Sequence, residues 1–387
     1  MPLDSDISLR LDNEIKCEVA IVGGGVSGAL AAYFLLREGV DAILLDKDRV
    51  GAGSTAASTG LLQYEVDTPL HELIGKVGQA SAVRSYQLGL GAIDTIEQTL
   101  EELGDDCGFS RQPSLYLASS LADLPGLIAE YECRRTFGFD VQLLSAAEIA
   151  SMSTFSAAGA IRSTGDAQIN PLQFTQALIK AAEQRGLRVF RETQVRQIIP
   201  DELGVTLATD RARVTARRAV IATGYAAHQH LRQDIGTLHS TFAAASSPLA
   251  CFDGWPDQCL LWETARPYFY LRTTPDGRAI LGGEDTDCAT DHQRDQLVAE
   301  KLHLLQKRFT TMFPRIPIEL EYAWAGTFAE TKDGLPYIGE TPEFPHAYFA
   351  LGYGGNGITF SVLAARIIAD LFVRRQNENA TIFRFDR

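Results

Sequence analysis

The sequence predicts an α/β protein: a discontinuous domain on a parallel sheet, with an α+β domain on a mostly antiparallel sheet inserted into it. Three observations predict it. Residues 17–46 read strand, glycines, helix, strand, acid, the order of a Rossmann-like βαβ unit. Residues 347–373 repeat strand, glycines and helix at the far end of the chain. Between them, residues 237–285 are strand-rich, with a turn signal at Pro275-Asp276-Gly277. A chain of 387 residues has room for two or three domains at roughly 150 residues each. The expected division gives 1–75, 160–235 and 324–387 to the nucleotide-binding domain, and 76–159 and 236–323 to the inserted, substrate-binding one.

Each element follows in order. The apolar run 17–22 is a strand, and it enters Gly23-Gly24-Gly25-Val26-Ser27-Gly28. Residues 29–38 form an Ala/Leu-rich helix stopped by Gly39, and the strand 41–45 ends at Asp46. Leucine and isoleucine at helical spacing put helices over 70–105. A strand at 113–118, a helix at 121–137 and a helix at 171–185 closed by Gly186 come next. Short strands are expected at 187–190, 195–199, 205–209 and 213–216, then a buried strand at 219–222 that ends in Thr223-Gly224. An amphipathic helix covers 292–313. The last strand, 347–351, runs through Gly352-Tyr353-Gly354-Gly355-Asn356-Gly357 into the helix 358–373.

Composition narrows the function. With 45% apolar and 22% charged residues, the chain is globular rather than disordered or coiled-coil. Its 35 basic and 49 acidic residues give a net charge of −14, which argues against nucleic acid, because phosphate binding needs a basic surface. The first 16 residues lack the apolar core of a signal peptide. No run reaches the ~18 apolar residues of a spanning helix. Six cysteines without a C-x-x-C pair fit reduced thiols in a cytoplasmic protein. His228 and His230 form H-x-H with no third ligand nearby, so no metal is expected.

The glycines carry chemistry. In G-x-G-x-x-G, Gly23 allows the tight turn, Gly25 lets backbone approach a pyrophosphate, and Gly28 lets helix and strand pack closely. The helix start at Val26 and Ser27 offers free N–H groups and the positive dipole end to phosphates. Asp46 stands where an acid binds a ribose. The fingerprint does not separate NAD from FAD. The following segment, 51–62, is small and hydroxyl-rich, which suits close approach of a large flat cofactor.

At these residues the chain resembles the FAD-dependent amine and amino-acid oxidoreductases of the D-amino-acid oxidase type, such as glycine oxidase and sarcosine oxidase. The resemblance covers nearly the whole chain. It rests on 23–28 with Asp46-Lys47, on Gly53-Ser54-Thr55-Ala56-Ala57-Ser58, and on Ala222-Thr223-Gly224. It rests also on Trp324-Ala325-Gly326, the run 331–339 and the run 352–359. It implies an FAD-binding domain of that type with FAD extended along it. Asp46 then holds the adenosine ribose, with Lys47 beside it, and Val195 meets the adenine side through its backbone. Ser54 and Thr55 lie near the pyrophosphate. Ala57 and Ser58 belong to the cofactor site, Thr59, Gly60, Leu61 and Leu62 lie near the flavin ring, and Gly355, Asn356, Gly357, Ile358 and Thr359 face its pyrimidine edge. A helix N-terminus there favours the negative charge of reduced flavin.

The sequence also departs from the family. Arginines that clamp a substrate carboxylate are expected where Gln63, Phe328 and Gly355 stand, and none of these offers two parallel charge-assisted bonds. Gly326 stands where a flavin-tethering cysteine is expected, so FAD is expected to be non-covalent. Ile280 stands at an oxygen-activating lysine, which leaves oxidase and dehydrogenase both open.

For the substrate, the alternation Arg266, Tyr268, Tyr270, Arg272 places these four on one face of a strand, with Phe269 and Leu271 on the other. That face either walls the substrate site or meets solvent. Gln63, Glu65 and Tyr353 are further candidates, Glu65 and Asp67 as partners of a cationic amine. The resulting expectation is hydride transfer from the C–H beside a neutral amine nitrogen to flavin N5, giving an imine that hydrolyses. The substrate is an amine or N-substituted amino acid, and the electron acceptor is O2 or a carrier. Two alternatives stand beside it. One is a D-amino-acid or 2-hydroxy-acid dehydrogenase with Arg266 or Arg272 as clamp. The other is a flavin-binding subunit of a heteromeric complex with little activity alone.

Overall fold

A computed structural model describes residues 10–229, 231–233, 235–287 and 291–387. Its first sheet has a parallel centre in the order Arg188–Phe190, Ala42–Leu45, Ile15–Val22, Arg213–Ile221 and Phe344–Leu351. Three antiparallel strands, Val195–Pro200, Val205–Thr209 and Tyr337–Thr341, extend it. The central strands are buried on both faces, so they read as continuous apolar runs rather than alternating ones. Helix Val26–Arg37 packs on one face between Pro171–Gln184 and Gly357–Phe372. The two glycine-led helices, from opposite ends of the chain, therefore start side by side at the C-terminal edge of the strands, where such sheets bind ligands.

The second sheet has the order Leu320–Glu330, Thr237–Ser246, Ala279–Thr286, Phe269–Thr273, Leu260–Glu263, Ser114–Leu117, Gly159–Ser163 and Val141–Ser145. All its pairs are antiparallel except Leu260–Glu263 with Ser114–Leu117. Helix Asp291–Met312 covers it, and Trp255, Phe309, Phe313, Phe242 and Leu271 fill the space between. A small third sheet joins Leu61–Leu62, Ala167–Gln168 and Ser110–Arg111.

Three expectations shift. The strands expected at 213–216 and 219–222 are one strand, Arg213–Ile221. Arg217 and Arg218 reach the surface from it, forming ion pairs with Glu18 and Glu340. The strand Leu320–Glu330 escapes the sequence reading because most of its residues are half-exposed and it lacks a clean apolar alternation. The expected boundaries at 160 and 324 fall inside strands of the second sheet, and helix Gln79–Leu103 packs on Gly357–Phe372 of the first unit.

Candidate functional site

The first glycine turn is built by exclusion of side chains. Gly23 has φ +103°, a region that disfavours other residues. A Cβ at Gly28 would collide with the Gly23 carbonyl and lie 3.0 Å from its carbon. Helix Val26–Arg37 begins under this turn with no side-chain cap of its own. Instead Thr55 Oγ1 accepts the Val26 N–H at 2.9 Å, so the hydroxyl-rich segment is fastened to the helix N-terminus. Asp46 Oδ2 accepts the Gly24 N–H and its Oδ1 the Asp48 N–H at 2.7 Å. The Asp46 carbonyl accepts from Thr193 N–H at 2.7 Å, which brings the strand beginning at Val195 alongside. Lys47 is exposed and 3.9 Å from Asp48. Ser27 Oγ lies 2.7 Å from Ser361 Oγ, which donates to the Gly357 carbonyl. Ser27 thus ties the two glycine-led helices together.

The hydroxyl-rich segment forms a helical turn, Ser54–Ala57. A Cβ at Gly224 would lie 3.9 Å from Ser54 Oγ, and the neighbouring Thr223 hydroxyl is buried without a partner. Trp324 Nε1 donates to the Ala57 carbonyl at 2.8 Å, and Gly326 faces Ala57. Gly60 N–H donates to Ser58 Oγ, and Leu61–Leu62 pairs with Ala167–Gln168. At the last loop, Asn356 Nδ2 donates to the carbonyls of Gln63 at 3.1 Å and Glu65 at 2.6 Å. Thr359 Oγ1 donates to the Asn356 carbonyl, while the Ile358 side chain enters the core. The residues singled out between Gly23 and Thr359 therefore come from seven separate stretches of chain.

An extended dinucleotide fits this arrangement. Two buried polar atoms without partners lie on these segments: Thr223 Oγ1 and Gln63 Nε2. Buried polar atoms are normally paired, so a polar ligand accounts for them. No atom lies within 4 Å of a Cβ added at Gly53 or Gly357, so both backbones are open to approach.

The proposed substrate face is corrected in part. The strand covers only Phe269–Thr273, so Arg266 and Tyr268 precede it. Arg266 is exposed, lies 3.3 Å from the Tyr268 ring centre and donates to the Thr264 and Ala265 carbonyls. Phe269 and Leu271 enter the core as expected. Tyr270 and Arg272 face the loop at Thr59, not solvent. Arg272 is buried and donates to the carbonyls of Thr59, Thr273 and Ile169. Burial lowers its pKa to about 10. Those bonds make it a clasp between the second sheet and the segments at Thr59 and Ile169 rather than an open clamp.

Glu65 is also corrected. Its carboxylate is buried, 2.7 Å from Arg134 NH1, and accepts from Ser163 Oγ at 2.9 Å. It is not open to a substrate amine. Arg134 also meets Glu130 at 2.5 Å, and Glu130 meets His71 Nδ1 at 2.9 Å. Burial raises the Glu130 pKa, but Arg134 and His71 outweigh it and hold the group at about 2. Burial, then the charge of Glu65, pushes Asp166 well above the carboxylate range. The sequence reading missed this network, because it gave 121–137 only as a helix and the partners of Arg134 and Glu130 lie on other elements. It also missed Tyr225, which follows Thr223-Gly224 and lies close enough to Asp67 to feel its charge. His230 lies outside the described residues, and among those described no cluster has the composition of a metal site.

Residues 18–371 match the family described as DAO, FAD dependent oxidoreductase. Glycine oxidase of Geobacillus kaustophilus is 29% identical over 373 residues, covering 93% of this chain and 94% of that one. Gamma-glutamylputrescine oxidoreductase of Escherichia coli is 26% identical over 374 residues, covering 93% and 84%. The crystal structure of the Geobacillus kaustophilus glycine oxidase superposes with a TM-score of 0.78 at 24% identity, covering 94% of this chain and 96% of that one.

Proposed function

Because the chain belongs to the DAO family of FAD-dependent oxidoreductases, we propose that it oxidises an amine that is not gripped through a free α-carboxylate. The observation that carries this reading is the state of the arginines near the flavin loop. Arg272 is bonded to three carbonyls, Arg266 is folded onto Tyr268, and the flavin-edge loop presents Gly354-Gly355. A bidentate carboxylate grip needs a guanidinium with free N–H groups facing the substrate. Gamma-glutamylputrescine oxidoreductase, by its name, acts on an amine derivative, which supports the same class here.

When bound, FAD supplies a hydride acceptor at N5 for the C–H beside the amine nitrogen, and the imine released hydrolyses. The chain's own residues bind and orient. The Val26 N–H is taken by Thr55, so the Ser27 N–H and the Ser54 and Thr223 hydroxyls would hold the pyrophosphate, and Asp46 the ribose. Asn356 fixes the start of helix Gly357–Phe372 through the Gln63 and Glu65 carbonyls, and the positive end of that helix would favour the negative charge of a reduced flavin. No described helix is long and apolar enough to cross a membrane. The free thiols of the five described cysteines support a reducing, cytoplasmic setting.

The test is the visible spectrum of FAD-reconstituted protein, taken anaerobically with pooled amines and separately with pooled amino acids. Bleaching by amines alone is expected. Bleaching by amino acids alone overturns the substrate reading, and no flavin uptake overturns the cofactor placement.

A further inference from the structure

Asp67 lies against a stretch of loop that carries no side chains. Its Oδ2 accepts the Gly355 N–H at 2.8 Å. A Cβ at Gly354 would overlap Oδ2, and one at Gly355 would lie 2.9 Å from Oδ1. The glycine pair is what admits the carboxylate here, one residue before the cap of the flavin-edge helix. Three phenols share its surroundings: after burial, the charge of Asp67 is among the causes that raise the pKa values of Tyr225, Tyr268 and Tyr270. A second carboxylate, Asp285, has a buried Oδ1 with no hydrogen-bond partner.

Of the nearby cations, Arg266 is close enough for its charge to act on both Asp67 and Asp285 without an ion pair to either. Arg308 pairs with Glu263 and Glu284, Lys301 with Glu284, and Arg266 lies on Tyr268. Among the described residues neither Asp67 nor Asp285 forms an ion pair. Carboxylates with aromatic rings around them bind an ammonium well, through charge-assisted hydrogen bonds and cation–π attraction. The same set repels a carboxylate.

We propose that Asp67, with Asp285 and the rings of Tyr225 and Tyr270, holds a non-reacting ammonium of the substrate, which is therefore a diamine or an amine with a second cationic nitrogen. This rests on the amine-oxidising reading and names its substrate class. Burial supports it by raising the Asp67 pKa to about 6, because an ammonium partner relieves the cost of a desolvated charge.

The experiment compares 1,4-diaminobutane, butylamine and butyrate as ligands of the FAD-reconstituted protein at pH 8. Flavin absorbance change gives the Kd values, and thermal unfolding of protein with and without FAD gives a readout that needs no turnover. Diaminobutane is expected to bind at least about 10-fold tighter than butylamine, with butyrate weakest, a ratio worth ~1.4 kcal/mol. Asp67→Asn is expected to bring the two amines within about 2-fold, and Asp285→Asn to reduce the ratio by a smaller factor. Equal binding of the two amines to the unmodified protein overturns the proposal without any variant. So does a ratio that survives Asp67→Asn, or tightest binding by butyrate. Loss of FAD uptake overturns the functional reading instead, and the thermal shift with diaminobutane still decides for or against Asp67.

Discussion

Replacing Arg134 by methionine tests the frame that holds the flavin-edge loop. Arg134 has no exposed side-chain surface and lies 2.7 Å from Glu65 and 2.5 Å from Glu130, both equally buried. Removing the cation leaves two buried carboxylates without their partner, a change that costs about 3–5 kcal/mol. Against a total of roughly 5–15 kcal/mol for a folded protein, that is a large fraction. The pH dependence has a definite sign. In the wild type, Glu130 titrates at about 2, below its unfolded value. Its stabilisation is present above the unfolded pKa of about 4.3 and is lost as pH falls toward 2. Without Arg134, burial dominates and lifts the folded pKa above the unfolded one. The variant is then penalised most at high pH, and the gap to wild type narrows as pH falls from 8 to 5. Urea unfolding followed by circular dichroism at both pH values measures this. FAD affinity is expected to fall as well, because the Glu65 carbonyl accepts from Asn356 at the helix cap. A loss below about 1 kcal/mol at pH 8, or a gap that widens toward pH 5, refutes the reasoning.

Other outcomes follow from single contacts. Gly28→Ala drives a methyl into the Gly23 carbonyl, and roughly 1–3 kcal/mol of overpacking strain weakens FAD binding by about 10–100-fold in a fluorescence-quenching titration. Thr55→Val removes the acceptor of the Val26 N–H and costs about 1 kcal/mol in thermal unfolding, as loss of a helix cap does. Arg272→Gln lowers the unfolding midpoint and weakens FAD binding, because it opens the clasp on the Thr59 loop, yet leaves the ratio of amine to carboxylate affinities unchanged. A selective loss of carboxylate affinity would make Arg272 the clamp after all. Binding of diaminobutane weakens as pH falls through about 6, where Asp67 gains a proton and its charge is lost; calorimetric titration from pH 8 to 5 reads it.

What the sequence by itself determined is what neighbouring residues decide together. The turn at Gly23, the close approach at Gly28 and the strands either side are consequences of local geometry, so the glycine turn and its strand–helix–strand frame were legible there. The helix after Gly355 was legible for the same reason. The alternation of 268–272 correctly sent Phe269 and Leu271 into the core. It did not show what would cover the other face, because that depends on Thr59 and Ile169, far away in the chain. Glu65 looked like a free carboxylate until Arg134, 69 residues on, was folded against it. Asp67 acquired its surroundings from Gly355, 288 residues away. A carboxylate's role is set by its partners and its dielectric, and those are properties of the packed interior that only the tertiary structure decides.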